Sequence, residues 1–173
     1  MERNQGEARI TVVGLGAGGR EGLTLGAWEA LKNARRVLLR TDRHPAAAWL
    51  REQGIRWESY DGYYETYDRF SDVYEAIADD LIRRARADGA VTYAVPGHPS
   101  VAEMTVALLR KRCPVEGIAL ELVSGESFLD RAFIALGFDP ADGFQLADAT
   151  DFHPERLNPH NHILITQVYD RFT

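Results

Sequence analysis

The 173-residue sequence predicts an α/β fold, a parallel sheet flanked by helices. Three observations lead there. Short β-branched or aliphatic runs alternate with segments of helical periodicity, the pattern of strands joined by right-handed crossovers. Three of those runs stop abruptly in turns of small residues, as buried strands do where the chain must reverse. Hydrophobic residues make up 45 % of the chain, enough for a domain of this length to bury about 70 % of its unfolded surface without a staple.

The elements follow in order. Arg9 to Val13 is a β-branched strand ending in Gly14-Leu15-Gly16-Ala17-Gly18-Gly19. Thr24 is placed to cap a helix with Ala27, Trp28 and Leu31 on one face. Arg36 to Arg40 is a second strand, and Pro45 suits the first turn of a helix that Gly54 closes. An extended piece, Ile55-Arg56-Trp57, leads into a stretch of aromatics and acids from Glu58 to Asp68.

Ser71 stands as the cap of the longest helix. Its buried face is Val73, Ile77 and Leu81, and Arg83, Arg84 and Arg86 complement the dipole at its end before Gly89. Strand, turn and helix then recur twice. Val91 to Val95 leads through Pro96-Gly97-His98-Pro99 into a helix bearing Val101, Met104, Thr105 and Leu108. Ile118 to Val123 leads through Ser124-Gly125 into a helix bearing Phe128, Leu129, Ala132, Phe133 and Leu136, with Gly137 past its end. Beyond it the pattern loosens: turn chemistry at 139–143, a loop at 152–162, then one apolar strand from Ile163 to Tyr169.

Composition excludes several function classes. Twenty Lys and Arg against 26 Asp and Glu leave a net charge of −6, the wrong sign for a nucleic-acid partner. No apolar run approaches the ~18 residues of a membrane helix, and the polar start lacks a signal-peptide core. The single cysteine, Cys113, permits no disulfide within the chain and fits a cytoplasmic protein.

The chemistry of a parallel sheet sits outside the carboxyl ends of its strands. The three small-residue turns fall on that edge, so together they predict a cleft where a ligand lies against main chain. Gly14-x-Gly16-x-x-Gly19 formally matches a dinucleotide fingerprint. Against it, the helix begins only near Thr24, and the next acid, Asp42, lies 23 residues past Gly19. No Gly-Lys-Ser or Gly-Lys-Thr occurs, which excludes a P-loop. His98 lies at the start of a helix on the rim and reads either as a ligand-facing imidazole or as a helix cap. His153, His160 and His162 have no metal-ligand spacing and read as loop histidines, so no metal site is expected. The aromatic and acidic stretch reads as a cover over a flat ligand or partner, or as ordinary packing of a crossover. No acid–base pair or nucleophilic triad stands out, so the catalytic residues are unknown.

The turns, in this order, resemble the N-terminal lobe of the tetrapyrrole (corrin/porphyrin) methylases. Ile10 to Gly16 with Gly22-Leu23-Thr24-Leu25 looks like the first motif, and Pro96-Gly97-His98-Pro99-Ser100-Val101-Ala102-Glu103 falls where the family usually carries Gly-Asp-Pro. Val123 to Phe128 resembles the third loop. The Pro-Gly-His-Pro variant, with Tyr169-Asp170-Arg171 after Ile165-Thr166-Gln167, is most similar to the methylase-like domain fused ahead of MazG-type nucleotide pyrophosphohydrolases.

The resemblance implies S-adenosylmethionine as cofactor and a small-molecule methyl acceptor, a tetrapyrrole by family. It places the cofactor against Gly14, Leu15, Gly16, Gly97, His98, Val101, Ser127 and Phe128, with Gln167 beginning an opposing wall. It divides the chain into a methylase-like lobe at 8–160 and the start of a second lobe at 161–173, largely absent here. From that follow three expectations: weak or no adenosylmethionine affinity for these residues alone, self-association, and a fused pyrophosphohydrolase as partner. Two functions are implied: a methyltransferase-type domain, or a non-catalytic ligand-sensing or assembly module regulating the fused hydrolase.

Overall fold

The structure, a computed structural model, describes residues 8–168. Tyr169, Asp170 and Arg171, which carry part of the resemblance, lie outside the described residues. The chain divides into two compact units, one running to Phe128 and the other from Leu129.

The first unit is a five-stranded sheet, with β1 (Arg9–Gly14), β2 (Val37–Leu39), β3 (Trp57–Ser59), β4 (Ala90–Val95) and β5 (Ala119–Val123) in the order β3-β2-β4-β1-β5. Every pairing is parallel, and Ile10 sits level with Val91 on one side and Leu120 on the other. Alternation along each strand feeds two cores. Ile10, Val12, Leu38, Val91 and Tyr93 point to one face, where they meet α4 (Phe70–Asp88) and α5 (Met104–Glu116). Val13, Val37, Leu39 and Ala94 point to the other, against α1 (Leu25–Lys32) and α2 (Pro45–Glu52). The α/β expectation holds, because aliphatic strands buried on both sides can be covered only by helices on both sides.

Thr24 caps α1 as expected, its hydroxyl accepting from the Ala27 N–H at 3.1 Å. Pro45 opens α2, and Gly54 follows that helix with φ of 80°. Four local expectations are corrected. The third strand runs from Trp57 to Ser59 rather than from Ile55, because Tyr60 N–H bonds the Leu39 carbonyl and holds the chain extended that far. The aromatic stretch forms a short helix, α3 (Asp61–Thr66), whose Tyr63 and Tyr64 pack on the core beside buried Tyr60. The longest helix starts at Phe70 with Arg69 at the cap position; the Asp72 and Val73 amides both bond the Arg69 carbonyl, and the Ser71 hydroxyl is spent on Asp72.

The fourth correction concerns α5. Its first residue is Met104, because 98–103 are held in turns by the Val101 N–H on the His98 carbonyl. The inward face therefore becomes Thr105, Val106, Leu109 and Cys113; Met104 is 55 % exposed and Val101 precedes the helix.

The helix α6 (Phe128–Leu136), all but its first residue in the second unit, ends at Gly137 as expected. A parallel two-stranded sheet follows, with β6 (Phe144–Asp148) paired to β7 (His162–Thr166). The sequence reading has no strand at β6, whose Gln145 and Asp148 interrupt the apolar pattern. Phe133, Phe138 and Phe144 form an edge-to-face cluster, and His162 stacks on Phe138 at 4.2 Å. His153 is tied to Asp151 and Glu155 through its two ring nitrogens, at 3.1 and 3.0 Å.

Candidate ligand-binding rim

All strands of the first sheet run the same way, so the turns after β1, β4 and β5 meet at one edge. They meet through backbone. Leu15 N–H bonds the Val95 carbonyl at 2.8 Å, and Gly16 and Gly97 exchange N–H···O bonds at 3.2 and 2.8 Å, a one-residue antiparallel bridge between two loops. A Cβ on Gly14 or on Gly125 would overlap the Gly97 carbonyl oxygen. Glycine at those two positions is therefore required by loop packing. Gly97 differs: its φ is 64° and the space where a Cβ would stand is open. Here the rim offers bare main chain outward.

Side chains lock the arrangement. The Thr24 hydroxyl, besides capping α1, donates to the Ser124 carbonyl at 2.8 Å and so fastens the third loop to the first. His44 does the equivalent from the other side. Its Nδ1 accepts from the Ala46 N–H at 3.2 Å, capping α2, so its proton sits on Nε2, which donates to the Gly16 carbonyl at 3.1 Å. Burial lowers the ring's pKa below its ordinary 6.5, partly offset by the Gly16 bond. Nothing in the reading of the sequence singled out His44. The signal was present: a histidine directly before a helix-opening proline occupies the cap position.

The residues expected to touch a ligand take different places. Gly14, Gly16, Gly97 and His98 share the rim. Leu15 is fully buried in the core, so only its main chain can face a ligand. Val101 is half-buried in the turn after His98, and the next residue, Ala102, holds a φ of 52°, strained for a side-chain-bearing residue. Ser127 is buried and Phe128 half-buried just beyond the third loop. Gln167, in the second unit, is exposed and holds a φ of 62°.

Of the two readings of His98, the helix cap is corrected, since α5 begins six residues later. Its Nδ1 instead accepts from the Ser100 N–H at 3.0 Å, closing its own turn and leaving Nε2 with the proton. Gly16 and Gly97 spend their N–H and carbonyl groups on each other, so the rim supplies uncrowded main-chain surface at Gly97 and one imidazole N–H. That suits holding and orienting a reactive ligand more than proton transfer.

Comparison with known proteins is consistent in direction. The family profile described as Tetrapyrrole (Corrin/Porphyrin) Methylases matches residues 9–168. The chain is 44 % identical over 165 residues to the uncharacterized protein YabN of Bacillus subtilis, covering 95 % of this chain and 34 % of that protein. It is 27 % identical over 169 residues to a Mycena rosella methyltransferase/borosin cyclic peptide precursor, covering 92 % of this chain and 41 % of the other. The chain therefore spans well under half the length of these relatives. Among solved structures, uroporphyrin-III-C-methyltransferase from Thermus thermophilus aligns with a TM-score of 0.60 at 30 % identity, over 83 % of this chain and 61 % of that one. A precorrin-6Y methylase from Archaeoglobus fulgidus aligns with a TM-score of 0.64 at 21 % identity, over 91 % and 72 %, a likeness of fold.

Proposed function

The chain belongs to the tetrapyrrole methylase family, and from that premise we propose that it is an S-adenosylmethionine-binding, methyltransferase-type domain working as the front part of a longer protein. The observation that supports this most is the three-loop rim, with outward-facing main chain at Gly97 beside the free Nε2–H of His98. The cofactor's sulfonium supplies the reactive methyl group; the protein's work is to bind, align and desolvate. Gly16, Gly97 and the Leu15 main chain would back the ligand, with His98 donating to it and Val101, Ser127 and Phe128 bordering it. Gln167 joins the set through the family resemblance. The methyl acceptor is proposed to be a small molecule, with a tetrapyrrole suggested by the family.

A second reading, a ligand-sensing module for a fused pyrophosphohydrolase, draws support from His98. It stands where the family usually has an aspartate, and half its hydrogen-bonding capacity is spent within its own turn. Calorimetry with S-adenosylhomocysteine, and methyl transfer from labelled S-adenosylmethionine by the longer protein, test both. The longer protein is expected to bind and to transfer, the 173 residues alone to bind weakly. His98→Ala should weaken binding about tenfold; unchanged affinity removes His98 from the site. Binding without transfer favours the sensing module, and absence of binding by the longer protein defeats both readings.

A further inference from the structure

At the same edge of the sheet, beyond β4, a second cleft of about 480 Å³ opens at the carboxyl ends of β2 and β3. That volume is within the range of small-molecule sites. Its lining is Arg40, Thr41, Arg43, Asp61, Tyr64 and Glu65, none of which belongs to the glycine rim.

Arg40 is the feature that needs explaining. It ends an apolar strand, and its side chain is 29 % exposed. Both of its polar contacts are made through Nε: a hydrogen bond donated to the Tyr64 hydroxyl at 3.0 Å, and the Glu103 carboxylate behind it at 3.7 Å. Among the described residues no partner meets its two Nη groups. Glu103 has a side chain only 3 % exposed, and neither of its oxygens has a hydrogen-bond partner. A carboxylate kept this dry is costly unless a cation stays beside it. Burial raises the Glu103 carboxyl's pKa and Arg40 pulls it back; at Arg40 burial is the largest single effect and lowers the pKa, but Glu103, Tyr64 and Tyr93 together outweigh it and raise it. Glu103 thus anchors the guanidinium at its rear edge and leaves the forked front to the cleft.

The rest of the lining is mixed in charge, with the donors grouped around Arg40. Tyr64 accepts from Arg40 and so keeps its own proton to donate. The Arg43 guanidinium is exposed and has no ion pair among the described residues. Asp61 stays ionised, its Oδ2 accepting from the Ser59 hydroxyl and the Asp42 N–H, and so marks the side of the cleft that an anion avoids. Burial would raise its pKa, yet those bonds and one from Thr41 outweigh it and hold the carboxyl at about 2. Glu65 is the remaining acid at the edge.

We propose that this cleft is a binding site for a small-molecule oxyanion, phosphate or carboxylate, gripped by the Arg40 fork with Arg43 and the Tyr64 hydroxyl. A planar guanidinium fixed from behind is the group suited to two parallel bonds to such an anion, and Glu103 is its positioning residue. The site does not depend on methyl transfer, and its test uses no methyl donor, so either reading can fail alone.

Calorimetric titration with inorganic pyrophosphate and with malonate separates the phosphate from the carboxylate source. One of the two is expected to bind. Arg40→Lys keeps the charge beside Glu103 but loses the fork, and should weaken binding about tenfold. Arg43→Ala changes an exposed side chain and should weaken it about fivefold. Arg35→Ala, an exposed arginine on another part of the surface, should change nothing. No heat from either probe at about 10 mM overturns the proposal. So does equal weakening in all three variants, which would mean only general attraction to surface charge. Should Arg40→Lys fail to fold by circular dichroism, Arg43→Ala against Arg35→Ala decides.

Discussion

His44 holds two pieces of backbone with one ring, the first amide of α2 and the carbonyl of Gly16, and both bonds need the neutral tautomer. His44→Ala should cost about 1–2 kcal/mol in urea unfolding, the sum of a lost cap and an orphaned carbonyl contact. The pH dependence has a defined sign. The folded ring titrates below 6.5, chiefly through burial, so its contribution is complete above the unfolded value. As pH falls through that value the unfolded chain takes up its proton first, and stability drops until the folded ring protonates too. The stability difference between wild type and His44→Ala should therefore shrink from about pH 7 to about pH 5; a constant difference would contradict it. The rim glycines separate by a similar comparison. Gly125→Ala must push backbone off backbone, at roughly 2–3 kcal/mol. Gly54→Ala, with φ of 80° and open space around it, should cost only about 1 kcal/mol. Equal thermal shifts for the two would show that the loops yield.

At the scale of elements, the longest helix is joined to the sheet's edge by charge as well as by Val73, Ile77 and Leu81. Buried Asp80 accepts from the Tyr60 hydroxyl at 2.8 Å and from Arg84 Nε at 2.6 Å, with Arg83 on its other oxygen, and Arg84 reaches Glu58 on β3 at 2.9 Å. Burial alone would raise the Asp80 carboxyl's pKa, but these donors outweigh it and lower it. Asp80→Ala should cost about 3 kcal/mol in thermal unfolding, because it strands the Tyr60 hydroxyl and leaves half-buried Arg84 with Glu58 alone; Tyr60→Phe should cost about 1. A smaller loss for Asp80→Ala than for Tyr60→Phe would reverse the roles assigned. The same helix shows what was legible in the sequence. Its apolar spacing and Gly89 placed it correctly, since periodicity reports burial directly. Its start was misread, because Ser71 is a good cap only if the backbone turns there, and the chain turns at Arg69. The α5 face slipped for a like reason: the Pro99 turn consumes five residues before the helix begins. The rim's three glycine turns were readable from their position after strands. Arg40 and Glu103 were not, nor was the bond from His44 to Gly16, since these contacts span 24 to 63 positions of chain, which no local pattern encodes; only the cap half of the His44 role was local.

At the scale of the whole molecule, the two units differ in how they are held. Every member of both buried clusters, including the partly buried residues packed against them, lies at or before Val123. No residue of α6 is buried, and Ile134 and Leu136 are 83 % and 59 % exposed. A core is what converts apolar burial into cooperative stability, at roughly 25 cal/mol per Å² removed from water. The first unit therefore carries the means to fold within itself, and it also carries the glycine rim and the Arg40 cleft. A chain ending at Phe128 should unfold in urea as a single cooperative transition and keep the near-ultraviolet dichroism of buried Tyr60 and Tyr93. It should keep the oxyanion site with unchanged affinity. A broad, uncooperative transition with dye-binding apolar surface would mean instead that the second unit is needed to complete the first.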